Sequence, residues 1–265
     1  MIKYYLLQIT CLNYIDSHFR FSILISMEPK FKTFSVKGSI RQTNSDYILT
    51  KSLSVGWIGI VCDGVGESIG GIRSGKLCSE KIIELIENST ETDPIKKMKS
   101  AIEKTNKYLF NLKQNATGNY ATTLVVLYLI NHVACWGHVG DSRIYKLKNG
   151  RLNLLTKDHS VIQELVDEGF LTLKEAAFHS GTNVIGRAMG EKSDVVVDVS
   201  KINLLPLNKN RFFLCTDGVT SILTDSEIEN CLQKENVTDC SENLIAIMNR
   251  KNISDDSSFI IIDPA

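Results

Sequence analysis

The 265-residue sequence has no excess of either charge, since 30 lysines and arginines balance 30 aspartates and glutamates. It contains no continuous apolar run of the roughly 18 residues that a membrane-spanning helix needs. Internal repeats, low-complexity segments and proline- or glycine-rich linkers are missing as well. The charge balance disfavours nucleic acid and anionic membranes as partners. The other absences predict one globular domain without a stable membrane span, and we expect a monomer.

Cysteine pairs at metal-site or redox-motif spacing are also missing. The seven cysteines are odd in number and never form a Cys-x-x-Cys motif. Several lie inside apolar segments, as buried thiols do. Disulfide frameworks are typical of secreted proteins, so this pattern predicts free thiols in a reducing compartment. We therefore expect a cytoplasmic protein.

The first 28 residues fit no part of the pattern that follows. Tyr4–Cys11 is mostly apolar, but charged residues interrupt the run from Asp16 onward. A signal peptide would need a more basic start and a small-residue cleavage site, and Met27 is an alternative start. We treat residues 1–28 as an N-terminal extension of unclear role and residues 29–265 as a single domain.

Three aspartates stand at the ends of predicted strands. One apolar strand stops at Asp63 and another at Asp217, each followed by glycine, while Asp255 precedes the apolar run Phe259–Ile262. A turn explains any single Asp-Gly pair, because both residues favour turns. If these strands are antiparallel neighbours, the three acids gather at one sheet edge. Like charges that close demand a cation, and all-oxygen ligands select hard ions such as magnesium, manganese or calcium.

Other polar stretches leave two interpretations open. Arg41 and Asp46 lie on a loop between predicted strands, where site residues are common, although a solvated turn explains them equally well. Asp141 follows the predicted strand Val133–Val139, where a turn carboxylate and a metal ligand are both open. The glycines after Asp63 suggest a phosphate cradle, but no Gly-Lys-Ser/Thr follows, so a nucleotide-binding loop is disfavoured.

Hydrophobic periodicity predicts a helix over Ile72–Glu87 and a second long helix after the N-cap Asp93. Several strands joined by short links follow, as in antiparallel hairpins. Two short helices between residues 157 and 192 interrupt the strands and predict a flap. A capping box at Thr224 begins another helix, and Ser241–Arg250 predicts a last one. Strands and helices are segregated rather than alternating, which is typical of an α+β fold.

Eight motifs, in order along the chain, resemble those of the metal-dependent type 2C protein serine/threonine phosphatases, bacterial-type members in particular. The motifs are Arg41 with Asn44-Ser45-Asp46, Val61-Cys62-Asp63-Gly64-Val65-Gly66, Ala121-Thr122-Thr123-Leu124, Gly140-Asp141-Ser142-Arg143-Ile144-Tyr145, Asp158-His159-Ser160, Asn183-Val184-Ile185-Gly186-Arg187-Ala188-Met189-Gly190, Cys215-Thr216-Asp217-Gly218 and Asp255-Asp256-Ser257-Ser258. The resemblance runs from about Phe34 to Ile262. Each motif alone is weak, and their shared order is the specific feature.

The resemblance implies two central antiparallel sheets sandwiched between pairs of helices, with two manganese or magnesium ions at one end. By position, Asp63 would bridge both ions and Gly64 would lend its carbonyl to one. Asp217 and Asp255 would complete the other. The implied activity is hydrolysis of phosphoserine and phosphothreonine by attack of a metal-bridging water, which two cations favour physically.

The resemblance also assigns supporting roles. Asp46 would hold metal-bound waters, and Arg41 would bind the substrate phosphate through its planar fork of donors. Asp141 matches the acid linked to a third, weaker metal site, with Asp217 as its partner. Phosphoproteins are the implied substrates, and family analogy implies a signalling role opposite a bacterial serine/threonine kinase.

Four residues depart from the family pattern. Ser45 stands where an acid is usual, Val65 where many eukaryotic members have histidine, Glu67 where a small residue is usual, and Asp256 where asparagine is common. The charge missing at Ser45 is expected to weaken the metal held there. A catalytically weak or silent relative that acts as a binding module is therefore the alternative. An unrelated metal- or nucleotide-binding protein would need the eight motifs to be coincidence. Because the three strand-end aspartates are all present, we favour an active enzyme.

Overall fold

The computed structural model describes residues 28–66, 69–115, 118–176, 184–205 and 210–264. Within these residues, ten strands form two five-stranded antiparallel sheets. Sheet A contains, in spatial order, β1 (Lys30–Val36), β10 (Ser257–Asp263), β9 (Asn210–Cys215), β6 (Arg143–Lys148) and β7 (Arg151–Leu154). Sheet B contains β2 (Asp46–Ser52), β3 (Trp57–Asp63), β4 (Leu124–Ile130), β5 (Val133–Val139) and β8 (Asp198–Asn203).

Helix pairs cover the outer face of each sheet. The long helices α1 (Ile69–Glu87) and α2 (Pro94–Asn115) pack on sheet B, and α6 (Asp225–Leu232) and α7 (Val237–Lys251) pack on sheet A. The short helices are α3 (Val161–Asp167), α4 (Leu173–Ala176) and α5 (Asp217–Thr220). The predicted α+β sandwich is confirmed. Helices α3 and α4 lie between β7 and β8, where the flap was predicted.

Central strands are rich in apolar residues because both of their faces are buried. In β3, Ile58, Ile60 and Cys62 pack towards α1 and α2, whereas Trp57 and Val61 face sheet A. Successive side chains of a strand point to opposite faces, so a strand covered on both sides shows a continuous apolar run. The same alternation in β9 and β10 fills the space between the sheets and the space under α6 and α7.

Two helix boundaries differ in how well the sequence predicted them. The capping box at Thr224 is present, with its side chain bound to the Glu227 amide. Helix α7 begins at Val237 rather than Ser241, because the Asn236 side chain accepts the Thr238 and Asp239 amides at 3.0 and 2.9 Å. The periodicity of the later residues concealed this earlier N-cap.

The prediction that three acids share one sheet edge is wrong in one respect. Strands β9 and β10 are antiparallel neighbours, so Asp217 and Asp255 flank the same strand pair. Strand β3, which ends at Asp63, belongs to the other sheet. The acids therefore approach one another across the sandwich. Sheet membership depends on long-range pairing, which strand order along the chain does not specify.

Among the described residues, no helix has both the length and the apolar character needed to cross a membrane. Glu28 is the one residue of the predicted extension that the described ranges include. Glu67 and Asn183, which belong to stretches singled out in the sequence, lie outside them, as does the predicted end of the second flap helix at Phe178. The division at residue 28 stays a prediction.

Candidate metal centre

Sheet B supplies two carboxylates through its β2–β3 pair. Asp46 begins β2 and lies opposite Asp63, the last residue of β3, in the antiparallel register. The Asp63 amide donates to Thr123 Oγ1 at 2.9 Å, and the Asp63 carbonyl accepts the Thr123 amide at 2.8 Å. Thr123 thereby fixes the backbone at the end of β3, and its hydroxyl contacts the Ser142 hydroxyl at 2.7 Å. Ser142 directly follows Asp141, so hydrogen bonds through Thr123 connect the backbone of Asp63 to the residue after Asp141.

Sheet A supplies two further acids, Asp217 and Asp255. Asp217 begins α5 shortly after β9, and its carboxyl is close enough to that of Asp63 for each to shift the pKa of the other. The following residue must be glycine, because a Cβ at Gly218 would collide with the Asp256 carbonyl oxygen. Asp255 lies just before β10. One carboxyl from each sheet therefore meets at the centre.

Thr216 links the two sheets, a role that the sequence did not reveal. Its Oγ1 accepts the Ser258 amide at 3.0 Å and donates to Asp46 Oδ2 at 2.9 Å. The hydroxyl therefore orients an acid of sheet B from a strand pair of sheet A. The available signal was the polar residue that separates the apolar run of β9 from Asp217, but spacing alone does not show its partner.

The carboxyls are close enough to oppose one another's ionisation. Burial raises the pKa of Asp46 to about 7, and neighbouring acids add to the effect. Burial also raises the pKa of Asp63 well above its ordinary value, as do the charges of Asp46, Asp217 and Asp141. Burial and the charge of Asp217 raise the pKa of Asp141 to about 7. Such a group is stabilised by a cation.

The residues present fit a hard divalent cation. Asp46 Oδ1 and Asp141 Oδ1 are buried and have no hydrogen-bond partner among the described residues. The side chains that converge are carboxylates, which magnesium, manganese and calcium prefer. A Cβ at Gly64 would collide with the Gly71 carbonyl oxygen and lie 2.9 Å from that of Ser45, so the backbone itself occupies this position.

Arg41, the predicted phosphate ligand, lies at the same centre. Its Nε and Nη2 donate to the two carboxylate oxygens of Asp255 at 2.6 and 2.8 Å. Burial opposes the ionisation of Asp255, but the hydrogen bonds from Arg41 and from the Asp256 amide outweigh it and lower the pKa. Asp255 is therefore the one acid of the centre that already has a cationic partner among the described residues.

A second group of metal-capable side chains, the histidine cluster, consists of His138, His159 and Asp198, with ligand atoms within 4.8 Å of one another. His159 Nδ1 accepts the Gly140 amide at 3.0 Å, so a neutral His159 carries its proton on Nε2, 3.1 Å from Asp198 Oδ2. Arg187 Nη1 lies 3.7 Å from Asp198 Oδ1 and 3.1 Å from His159 Nε2. A metal would have to displace that proton and face the guanidinium, so this cluster does not fit one.

Comparison with known proteins agrees with this geometry. The family model for protein phosphatase 2C matches residues 38–254. Protein phosphatase PhpP of Streptococcus pneumoniae is 28% identical over 221 residues, which cover 80% of this chain and 88% of that protein.

Two solved structures share the fold. The serine/threonine phosphatase Stp1 of Staphylococcus aureus superimposes with a TM-score of 0.81 at 24% identity, covering 90% of this chain and 96% of that one. The catalytic domain of the serine threonine protein phosphatase PstP, in complex with two manganese ions, gives a TM-score of 0.75 at 24% identity, covering 89% and 98%. Because the family match spans most of its length, the chain belongs to the protein phosphatase 2C family.

Proposed function

We propose that this chain is a metal-dependent phosphoprotein phosphatase that hydrolyses phosphoserine and phosphothreonine. The observation that carries the proposal is the meeting of Asp63 from one sheet with Asp217 from the other, inside a buried group of carboxylates. Membership of the protein phosphatase 2C family supports the reaction class. The names of PhpP and Stp1, which describe a protein phosphatase and a serine/threonine phosphatase, support the substrate class.

We further propose two manganese or magnesium ions at the centre. The proposed ligands are the carboxylates of Asp63, Asp217 and Asp255 and the carbonyl of Gly64, with Asp46 beside them and Asp141 at a third, weaker site. The two manganese ions bound to PstP support this number. When bound, such ions supply Lewis acidity towards a phosphate oxygen and activate a water as nucleophile.

The chain's own residues position the reaction. Asp255 holds the Arg41 guanidinium at the centre, where its planar donors suit phosphate oxygens. Thr216 fixes Asp46 through Oδ2 and leaves Oδ1 without a partner among the described residues. Burial raises the pKa of Asp46 to about 7 when no ion is bound, and cations at the centre would favour its ionised form.

The proposal extends to the protein's surroundings. We propose cytoplasmic phosphoproteins as substrates, a bacterial serine/threonine kinase as the opposing enzyme, and a monomer whose catalytic domain spans residues 29–265. The six cysteines of the described ranges are free and buried, which suits a reducing compartment.

The test is hydrolysis of p-nitrophenyl phosphate and of a phosphothreonine peptide with manganese, after chelation, and after manganese is restored. We expect turnover that chelation abolishes and that Asp217→Asn lowers at least about a hundredfold. Folded, manganese-loaded wild-type protein without turnover above background would contradict the proposal. Partner binding that survives in Asp217→Asn would then favour the silent binding module.

A further inference from the structure

Asp256 has a buried carboxylate to which the proposed reaction gives no role. The residue is 3% exposed. Its Oδ1 accepts the Gly38 amide at 2.9 Å, and its Oδ2 accepts both the amide and the hydroxyl of Ser45, at 2.8 and 3.0 Å. All three partners can act as donors. The arrangement therefore suits an ionised carboxylate, which only accepts hydrogen bonds.

These bonds join the segment before β10 to the loop between β1 and β2. The donors Gly38 and Ser45 lie on either side of Arg41 in sequence, and Ser45 directly precedes Asp46. The Asp256 carbonyl packs against Gly218, the residue after Asp217. Asp256 thus contacts the residues adjacent to Asp46 and Asp217, and the start of the loop that carries Arg41, without being one of the proposed metal ligands.

Positions 45 and 256 carry complementary groups. The type 2C phosphatases that this chain resembles usually have an acid at the first position and commonly asparagine at the second. Here the hydroxyl of Ser45 donates to the carboxylate of Asp256, so the negative charge is kept but lies on the other side of the contact.

Mixed combinations at these positions would be unfavourable. An asparagine at position 256 beside Ser45 has only one accepting terminal atom, so its NH2 group would face the amide of either Gly38 or Ser45. An acid at position 45 beside Asp256 would place two carboxylates in contact. The contact between an asparagine NH2 group and a backbone amide persists whatever side chain stands at position 45. A carboxylate at position 45 would repel Asp256 but would accept a hydrogen bond from the NH2 group of an asparagine there, so the two positions are coupled.

We propose that Ser45 and Asp256 form a coupled positioning pair, in which the carboxylate of Asp256 braces the loop beside the metal centre. The pair holds the loop that carries Arg41 and Asp46 against the segment that carries Asp255. This inference deepens the proposed phosphatase function and rests on it. It also removes the reason to expect a weakened centre from Ser45 alone.

The test is a double-mutant cycle on the full chain with wild type, Ser45→Glu, Asp256→Asn and the double variant. Manganese affinity is measured by calorimetry, folding by thermal melting in EDTA, and kcat and KM with p-nitrophenyl phosphate. We expect each single variant to weaken manganese binding about tenfold, and the double variant to lose clearly less than the roughly hundredfold that additive losses would give. Ser45→Ala, which keeps the backbone bond and the charge at position 256, should lose less than about threefold.

Losses that simply add in the double variant would overturn the proposal, as would unchanged manganese affinity in Asp256→Asn. If Ser45→Glu does not fold by itself, restored melting in the double variant is the expected result. Manganese binding and melting require no turnover. A wild-type protein that binds manganese but does not hydrolyse phosphate esters would therefore contradict the proposed function while the cycle still decides the coupling.

Discussion

The candidate metal centre and the histidine cluster are adjacent regions that differ in how their charges are balanced. Gly140 is hydrogen-bonded to His159 of the cluster, and the next residue, Asp141, belongs to the centre. In the cluster, His159 and Asp198 satisfy each other, and Arg187 lies beside them. In the centre, carboxyls raise one another's pKa, and two of their oxygens have no partner among the described residues.

This difference shows that residue type and proximity do not suffice to identify a metal site. Histidine and aspartate are common ligands, yet the tautomer that the Gly140 amide imposes on His159 turns the other ring nitrogen into a donor. Aspartates in the centre have surplus acceptors and repel one another. Both regions contain buried polar atoms without a partner among the described residues, so uncompensated negative charge is what distinguishes the centre.

The largest expected effect comes from making the same substitution in both regions. Asp63→Asn removes a charge from the centre, and we expect turnover to fall at least about a thousandfold and manganese affinity at least about a hundredfold. Asp198→Asn removes a charge from the half-exposed side of the cluster, and we expect manganese affinity within about twofold of wild type. Calorimetric titration with manganese and steady-state kinetics measure both.

The Asp198→Asn variant is the matched control, because it changes the same atoms of the same residue type outside the centre. A loss of manganese affinity there as large as in Asp63→Asn would show that the cluster binds the ion. The distinction between the two regions would then be wrong.

The sequence indicated which acids lie close together better than it indicated how the two sheets bring them there. Asp63 and Asp217 could be predicted as site residues because an ionised carboxylate at the end of a buried strand is costly unless a cation or donor meets it. That they belong to different sheets was not visible, since the pairing of β9 with β10 and of β2 with β3 depends on contacts distant in sequence.

Residues that act through a hydrogen bond were also hidden. Thr216 and Thr123 are ordinary strand-end hydroxyls in the sequence, and only the fold shows that they orient Asp46 and hold the backbone of Asp63. The departure at Ser45 pointed to a weaker centre as long as its contact with Asp256 was unknown. Such partners are set by tertiary packing, which a single sequence does not encode at short range.

The pH dependence of the free energy of unfolding gives a smaller expected effect, with opposite signs in the two regions. The pKa of Asp141 is about 7 in the folded protein, against about 4 in an unfolded chain. Between these values the folded protein keeps a proton that the unfolded chain has lost, so this acid lowers stability as pH rises towards 7. Asp141→Asn removes the effect. Relative to wild type, the free energy of unfolding of the variant should gain up to about 3 kcal/mol between pH 5 and pH 7.5.

Urea unfolding of both proteins in EDTA at the two pH values measures this difference, and the shared background titrations cancel in the comparison. Manganese should abolish the trend, because a bound cation removes the advantage of the protonated acid. A stability difference that stays constant between the two pH values would show that Asp141 is ionised throughout and does not feel the other carboxyls.

The smallest expected effect has the opposite sign and comes from His138. Burial and the neighbouring His159 lower its pKa to about 3, against about 6.5 in an unfolded chain. As pH falls through 6.5, the unfolded chain gains a proton that the buried ring does not accept, so stability is lost on the acid side. His138→Phe keeps a ring against His159, whose centroid lies 4.4 Å away. Neither nitrogen of His138 has a hydrogen-bond partner among the described residues.

We therefore expect His138→Phe to match wild type at pH 7.5 and to gain up to about 2 kcal/mol on it at pH 5, in the same urea experiment. Manganese affinity should not change, because the substitution leaves every carboxylate of the centre in place. If the variant instead lost one manganese or zinc ion per chain, the cluster would be a second metal site. The opposite slopes of Asp141→Asn and His138→Phe would still follow from burial alone, so the number of ions bound per chain is the measurement that separates a metal-binding acid group from a histidine cluster without an ion.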